Sequence, residues 1–100
     1  DLAEAILKII THNSDFSGVN IYHYSNEGVA SWFDFASAIV ELDKLDCKVK
    51  PITTEEYPLP AKRPFFSVLS KEKIKKEIGL IIPDWKESLK KCIDNMKTGY

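Results

Sequence analysis

Apolar residues recur at helical spacing from the first residue, in DLAEAILKIITHN, where Leu2, Ile6, Ile9 and Ile10 fall on one face. The spacing predicts an amphipathic helix over residues 1–13, with Asn13 as its stop. His12 falls in its last turn, where a cation suits the negative end of the helix dipole. SDFSG, residues 14–18, reads as a turn. The period then changes. VNIYHYS, residues 19–25, carries β-branched and aromatic residues on both faces, which predicts a strand covered on both sides, as parallel strands are. After NEGVA, Ser31 opens a helix with Asp34 three residues on, in a capping-box arrangement. Trp32, Phe35, Ile39 and Leu42 form the apolar stripe of this helix and are expected in the core. CKVKPIT, residues 47–53, predicts a second strand, which Pro51 assigns to an edge. Strand, helix and strand make a βαβ unit with a right-handed crossover.

The loop from Thr54 to Pro64 has no period, and FFSVL beyond it reads as a short extended piece. Ser70 is the expected N-cap of a helix over residues 71–78. Gly79 ends that helix in a Schellman-like turn that folds Leu80 back on Ile74. LIIP is an extended apolar link. Asp84 with Glu87 caps a last helix, whose Trp85, Leu89, Cys92, Ile93 and Met96 share one apolar face. The tail KTGY is expected to fray. The predicted fold class is α/β: a small βαβ unit with parallel strands flanked by helices, in one domain over residues 1–100.

Composition narrows the class. Hydrophobic residues are 44% of the 100 and charged residues 29%, nearly balanced, as in a folded domain rather than a disordered chain. A formal net charge of -1 argues against nucleic acid as a partner. Residues 71–100 hold eight of the thirteen lysines, read as a solvated helix face. Cys47 and Cys92 stand far apart with no metal or disulfide pattern, as reduced thiols of a cytoplasmic protein would. No apolar run approaches the ~18 residues of a membrane span, and no signal peptide is visible. The chain opens on Asp1 inside a helical pattern, which suggests a piece of a longer protein.

In parallel α/β units, ligands sit beyond the carboxyl ends of the strands. The loops Ser25–Ala30 and Thr53–Pro64 leave those ends and are expected to face a common cleft. The second holds Arg63, the one arginine of the chain, next to Lys62 and framed by Pro58, Pro60 and Pro64. A guanidinium offers two-point donation to a phosphate or carboxylate, and a stiff loop lowers the cost of ordering it. Ser25, Asn26, Thr53 and Thr54 add hydrogen-bonding groups for a hydroxyl-rich ligand. The competing reading is that Arg63 pairs with Glu55 or Glu56. No G-x-G-x-x-G or G-x-x-x-x-G-K-[ST] loop is present, His23 lies within a predicted strand, and no Ser/His/Asp set can be assembled. The residues point to binding rather than catalysis.

Three segments, NIYHYSNEGVASWFDFASAIV, PITTEEYPLPAKRPFFSVLSKEKI and IPDWKESLKKCI, resemble in order the carboxyl-terminal portion of the dTDP-4-dehydrorhamnose reductase family. That family belongs to the extended short-chain dehydrogenase/reductase superfamily. The resemblance runs from Leu2 to Met96, is most specific over Pro60–Ser70, and is supported by Trp32 and Trp85. Ser70 stands where relatives often carry Asp; either caps a helix. The family reduces the 4-keto group of dTDP-6-deoxy-L-lyxo-4-hexulose with NADPH or NADH, giving dTDP-L-rhamnose. Its glycine-rich cofactor loop and Tyr-x-x-x-Lys pair lie in an amino-terminal Rossmann domain. Neither is in this sequence: Tyr22, Tyr24 and Tyr57 lack a lysine four residues on. The resemblance therefore implies a substrate-binding subdomain, inactive alone, that meets its own Rossmann domain and a dTDP-sugar. It implies no catalytic, cofactor-binding or metal residue here, and substrate contacts from Arg63, Lys62, Asn26 and Ser25. Some relatives pair through acidic groups and magnesium, and Asp94 and Asn95 lie in that region, so Mg2+ and a homodimer stay open. Two further alternatives stay open: a non-catalytic regulatory subunit of the same fold, such as that of methionine adenosyltransferase, and a free-standing interaction domain.

Overall fold

The chain folds into four helices: α1 (Leu2–Thr11), α2 (Trp32–Asp43), α3 (Glu72–Ile78) and α4 (Trp85–Thr98). The structure, a computed structural model, describes residues 1–12 and 17–99. The predicted stop at Asn13, most of the predicted turn at 14–18, and Tyr100 of the tail lie outside the described residues.

Local chemistry sets the helix ends. The Ser31 side chain accepts from the Asp34 amide at 3.1 Å, while the Ser31 amide donates to Asp34 Oδ2 at 2.8 Å, so the capping box forms in full. Asp84 caps α4 by accepting from the Lys86 amide at 2.9 Å. Gly79 ends α3 in the left-handed conformation and donates to the Lys75 carbonyl at 3.0 Å, a simple αL cap rather than a Schellman pair. The predicted cap at Ser70 shifts by one: Lys71 takes the N-cap position and its side chain makes no capping bond. The helix α4 continues to Thr98 instead of fraying at Lys97, whose ammonium holds the Asp43 carboxylate of α2 at 2.6 Å.

The predicted βαβ unit does not form among the described residues. Segments 19–25 and 47–53 carry no strand ladder, and the one bridge joins Glu27 to Asp84 in parallel. An extended backbone becomes a strand only when a neighbour satisfies its amides and carbonyls. Here Ile21 and Tyr22 are held by side chains instead. Lys73 Nζ donates to the Ile21 carbonyl at 3.0 Å and lies over the Tyr22 ring at 4.7 Å. Tyr22 Oη donates to Glu77 at 2.8 Å. The lysines read as a solvated face thus fasten α3 to the extended segment. That segment is also not covered on both sides: Tyr22 and Tyr24 pack inward, while Val19 and Ile21 are exposed.

The core is small. Ile74, Ile78 and Ile82 are buried together, with Ile9, Tyr22, Tyr24 and Leu80 packed around them. Leu80 packs against this cluster, although the end of α3 is not the expected Schellman turn. Of the predicted α1 face only Ile9 is partly buried, beside the buried Ala5, and Leu2, Ile6 and Ile10 are exposed. On α4, Ile93 is buried but Cys92 and Met96 face outward. Trp32 is 77% exposed rather than in the core, because it lies in the first turn of α2 and meets only the edge of Phe35, at 6.2 Å. Phe35 in turn meets Trp85 of α4 at 6.1 Å.

The radius of gyration is 17.3 Å, where a closed domain of this length has about 13 Å. The accessible surface is 8555 Å², against roughly 5,800 Å² for a compact monomer of this size. The difference comes from an open body that leaves large apolar side chains exposed, Ile52, Tyr57, Phe65, Phe66, Val68 and Leu69 among them.

Candidate functional site

Backbone and side-chain hydrogen bonds converge on the turn Asn26–Gly28. The Glu27 amide donates to the Pro83 carbonyl at 2.9 Å, and the Trp85 amide donates to the Glu27 carbonyl at 3.0 Å. Asn26 Nδ2 donates to Asp1 at 2.8 Å, to Ser88 Oγ at 2.8 Å and more weakly to the Pro83 carbonyl at 3.3 Å. Ser88 Oγ donates onward to the same Asp1 carboxylate. The Asn26 Nδ2 donors are therefore occupied inside the fold, joining Asp1 before α1, the 26–28 turn and the start of α4. Ser25 Oγ makes only a long contact, 3.4 Å, to the Asn26 carbonyl.

Two lysines of the next segment close on this turn. Lys75 Nζ meets Glu27 Oε1 at 2.6 Å, and Lys71 Nζ lies 3.3 Å from Glu27 Oε2 and donates to the Asn26 carbonyl at 3.1 Å. The Lys75 hydrogen bond, aided by Lys71, holds the Glu27 carboxyl below the usual glutamate range, against the upward push of partial burial. Lys71 is the one buried charged residue among those described. Sequence reasoning passed over Lys71, Ser88 and Asp1. A lysine at a helix start, where the dipole repels cations, was the readable signal for the first; the contacts of the other two cross 25 to 87 residues and leave no local trace.

The loop of residues 54–64 lies wholly on the surface. Its upstream end is pinned by the Glu56 carboxylate, which accepts from the Thr53 amide at 2.5 Å. The glutamates thus act on their own turn, and Arg63 makes no ion pair with Glu55, Glu56 or any other described residue. Of the four residues expected in a site, Ser25 and Asn26 are adjacent in the turn, and Lys62 and Arg63 stand on the exposed loop. No direct contact joins the two pairs among the described residues.

Among the described residues there is neither a glycine-rich phosphate cradle nor a converging set of metal ligands. Gly28, at φ +88°, is no phosphate cradle: a Cβ there would lie 2.7 Å from Asp84 Oδ2 and from Trp85 Cδ1. Asp94 is ion-paired with Lys90 at 2.6 Å, and no three His, Cys, Asp or Glu side chains converge among the described residues. Nor is any helix long and apolar enough to cross a membrane.

Comparison with known proteins gives the family: residues 1–98 match the RmlD substrate binding domain, and the chain belongs to that family. A crystal structure of a dTDP-4-dehydrorhamnose reductase from Clostridium acetobutylicum superimposes with a TM-score of 0.84 at 44% identity, over 96% of this chain and 33% of that one. The fold is thus that of the corresponding part of an extended short-chain dehydrogenase/reductase. The spore coat polysaccharide biosynthesis protein SpsK of Bacillus subtilis is 42% identical over 93% of this chain and 31% of its own length. The dTDP-4-dehydrorhamnose reductase of Burkholderia thailandensis is 36% identical over 76% of this chain and 28% of its own. The chain spans about a third of the length of the relatives it matches.

Proposed function

We propose that this chain is the substrate-side domain of a dTDP-4-dehydrorhamnose reductase. The full protein would reduce the 4-keto group of dTDP-6-deoxy-L-lyxo-4-hexulose to give dTDP-L-rhamnose. NADPH or NADH would supply the hydride from a Rossmann domain formed by the rest of the polypeptide, in the cytoplasm. The match of residues 1–98 to a substrate binding domain, shared with a reductase structure at 44% identity, carries this reading. The relatives named as reductases favour it over a non-catalytic regulatory subunit. The surface excess over a compact monomer, roughly 2,800 Å², supports a partner domain that covers exposed apolar residues and speaks against a free-standing interaction domain.

Within this chain, binding falls to the loop that carries Lys62 and Arg63. The Arg63 guanidinium has no ion-pair or hydrogen-bond partner among the described residues and offers paired donors to the nucleotide diphosphate. Lys62 adds charge beside it. Asn26 Nδ2 is committed to Asp1 and Ser88, so Asn26 braces its own turn rather than reaching the nucleotide-sugar through that group. In the full-length protein, Arg63→Ala is expected to raise the KM for the nucleotide-sugar by roughly 10- to 150-fold, the loss of a charged hydrogen bond worth about 1.5–3 kcal/mol. The cofactor KM should stay unchanged, and Arg63→Lys should restore only part of the loss. A nucleotide-sugar KM indifferent to both substitutions would remove Arg63 from the site.

A further inference from the structure

Lys71 breaks a local rule. It occupies the N-cap of α3, where it gives no capping acceptor and faces the positive end of the helix dipole. It is also only 8% exposed, and a buried ammonium is retained only with partners that replace its hydration. Its partners are the Asn26 carbonyl and the Glu27 carboxylate, at 3.1 and 3.3 Å. Both belong to the turn that backbone bonds fix to Pro83 and Trp85. In sequence, Lys71 follows directly on the exposed stretch 51–70 that carries Arg63. That stretch has its Thr53–Glu56 bond upstream and Lys71 as its buried tether downstream.

We infer that Lys71 is a positioning residue for the nucleotide-sugar: its buried ammonium fixes the downstream end of the Arg63 loop to the Asn26–Glu27 turn. This rests on the proposed function. Lys71 touches no substrate atom; it limits where Arg63 can be, and so lowers the ordering cost of binding. Glu27 is the second half of the tether, shared with Lys75.

The test uses the full-length protein with Lys71→Met, which keeps the aliphatic length and removes the charge, and Glu27→Gln, which weakens the tether from its more exposed side. Three quantities are read: amide exchange across 54–70, the KM for the 4-keto dTDP-sugar, and the KM for the nicotinamide cofactor. Lys71→Met should speed exchange in the loop and raise the sugar KM about tenfold, equivalent to about 1.4 kcal/mol, with the cofactor KM unchanged. Glu27→Gln should shift both in the same direction by less, and it decides the matter alone if Lys71→Met does not fold. Unchanged loop exchange would overturn the tether. Faster exchange, or a lowered Tm, with an unchanged sugar KM would reduce Lys71 to a structural residue and overturn the inference. A wild-type protein with no turnover of the keto-sugar would instead overturn the functional reading, while loop exchange in the variants would still decide whether Lys71 holds the loop.

Discussion

Gly28 shows how one residue connects backbone conformation to the site. Its φ of +88° lies where L side chains are strained, and the space above its Cα is filled by Asp84 and Trp85. The N-cap of α4 can therefore approach the 26–28 turn only over a glycine. Gly28→Ala is expected to cost about 2–4 kcal/mol, strain and steric conflict together, seen as a lowered urea midpoint. A midpoint within error of wild type would mean that the turn is not held against α4 as described. The turn itself was visible in NEGVA. What sequence spacing could not supply was Trp85, 57 residues away, as the reason the glycine is needed.

At the scale of elements, helix ends were the most legible feature, because caps are settled within four residues. Ser31 and Asp34 form the box expected of them, Asp84 caps α4 through the Lys86 amide rather than in a box with Glu87, and Gly79 stops α3 in an αL end rather than a Schellman turn. Ser31→Ala should loosen the first turn of α2 by about 1 kcal/mol, measurable as faster exchange of its amides. The same box gives a pH signature. Hydrogen bonds from the Ser31 side chain and amide hold the Asp34 carboxyl below its usual range. A carboxyl depressed in the folded state contributes stability above its unfolded pKa and loses it as pH falls through the folded value. The advantage of wild type over Asp34→Asn in α2 protection should thus be full near neutrality and close as pH drops below ~3.9. A gap that persists at lower pH would mean that the carboxylate charge is not what the box uses. Strands were less legible than caps. Segments 19–25 and 47–53 have the composition of strands, but a ladder needs a second chain segment in register, and none of the described residues supplies one.

For the whole molecule, the decisive quantity is the mismatch between composition and burial. Hydrophobic residues are 44% of the chain, yet the interior reduces to Ala5, Ile74, Ile78, Ile82 and Ile93. The remaining apolar side chains, from Leu2 on α1 to Phe66 beyond the loop, are spread over an open body of 51 × 38 × 20 Å. Residues 1–100 expressed alone are expected to bind the dye ANS strongly and to show fast exchange across 19–25 and 65–69. The same residues within the full-length protein should do neither. Weak dye binding by the isolated piece would show that its apolar side is covered without a partner domain.

The sequence by itself determined the helices, the N-caps of α2 and α4, the family resemblance and the placement of a lone arginine in a proline-framed loop. These depend on periodicity, on neighbours within a turn, or on residue order, all of which are written along the chain. Only the tertiary structure decided that Lys71 is buried, that Asn26 is spent on Asp1 and Ser88, and that Trp32 stands outside the core. Each of those outcomes depends on which distant segment arrives within hydrogen-bonding or van der Waals reach, and on which faces are left with nothing arriving at all.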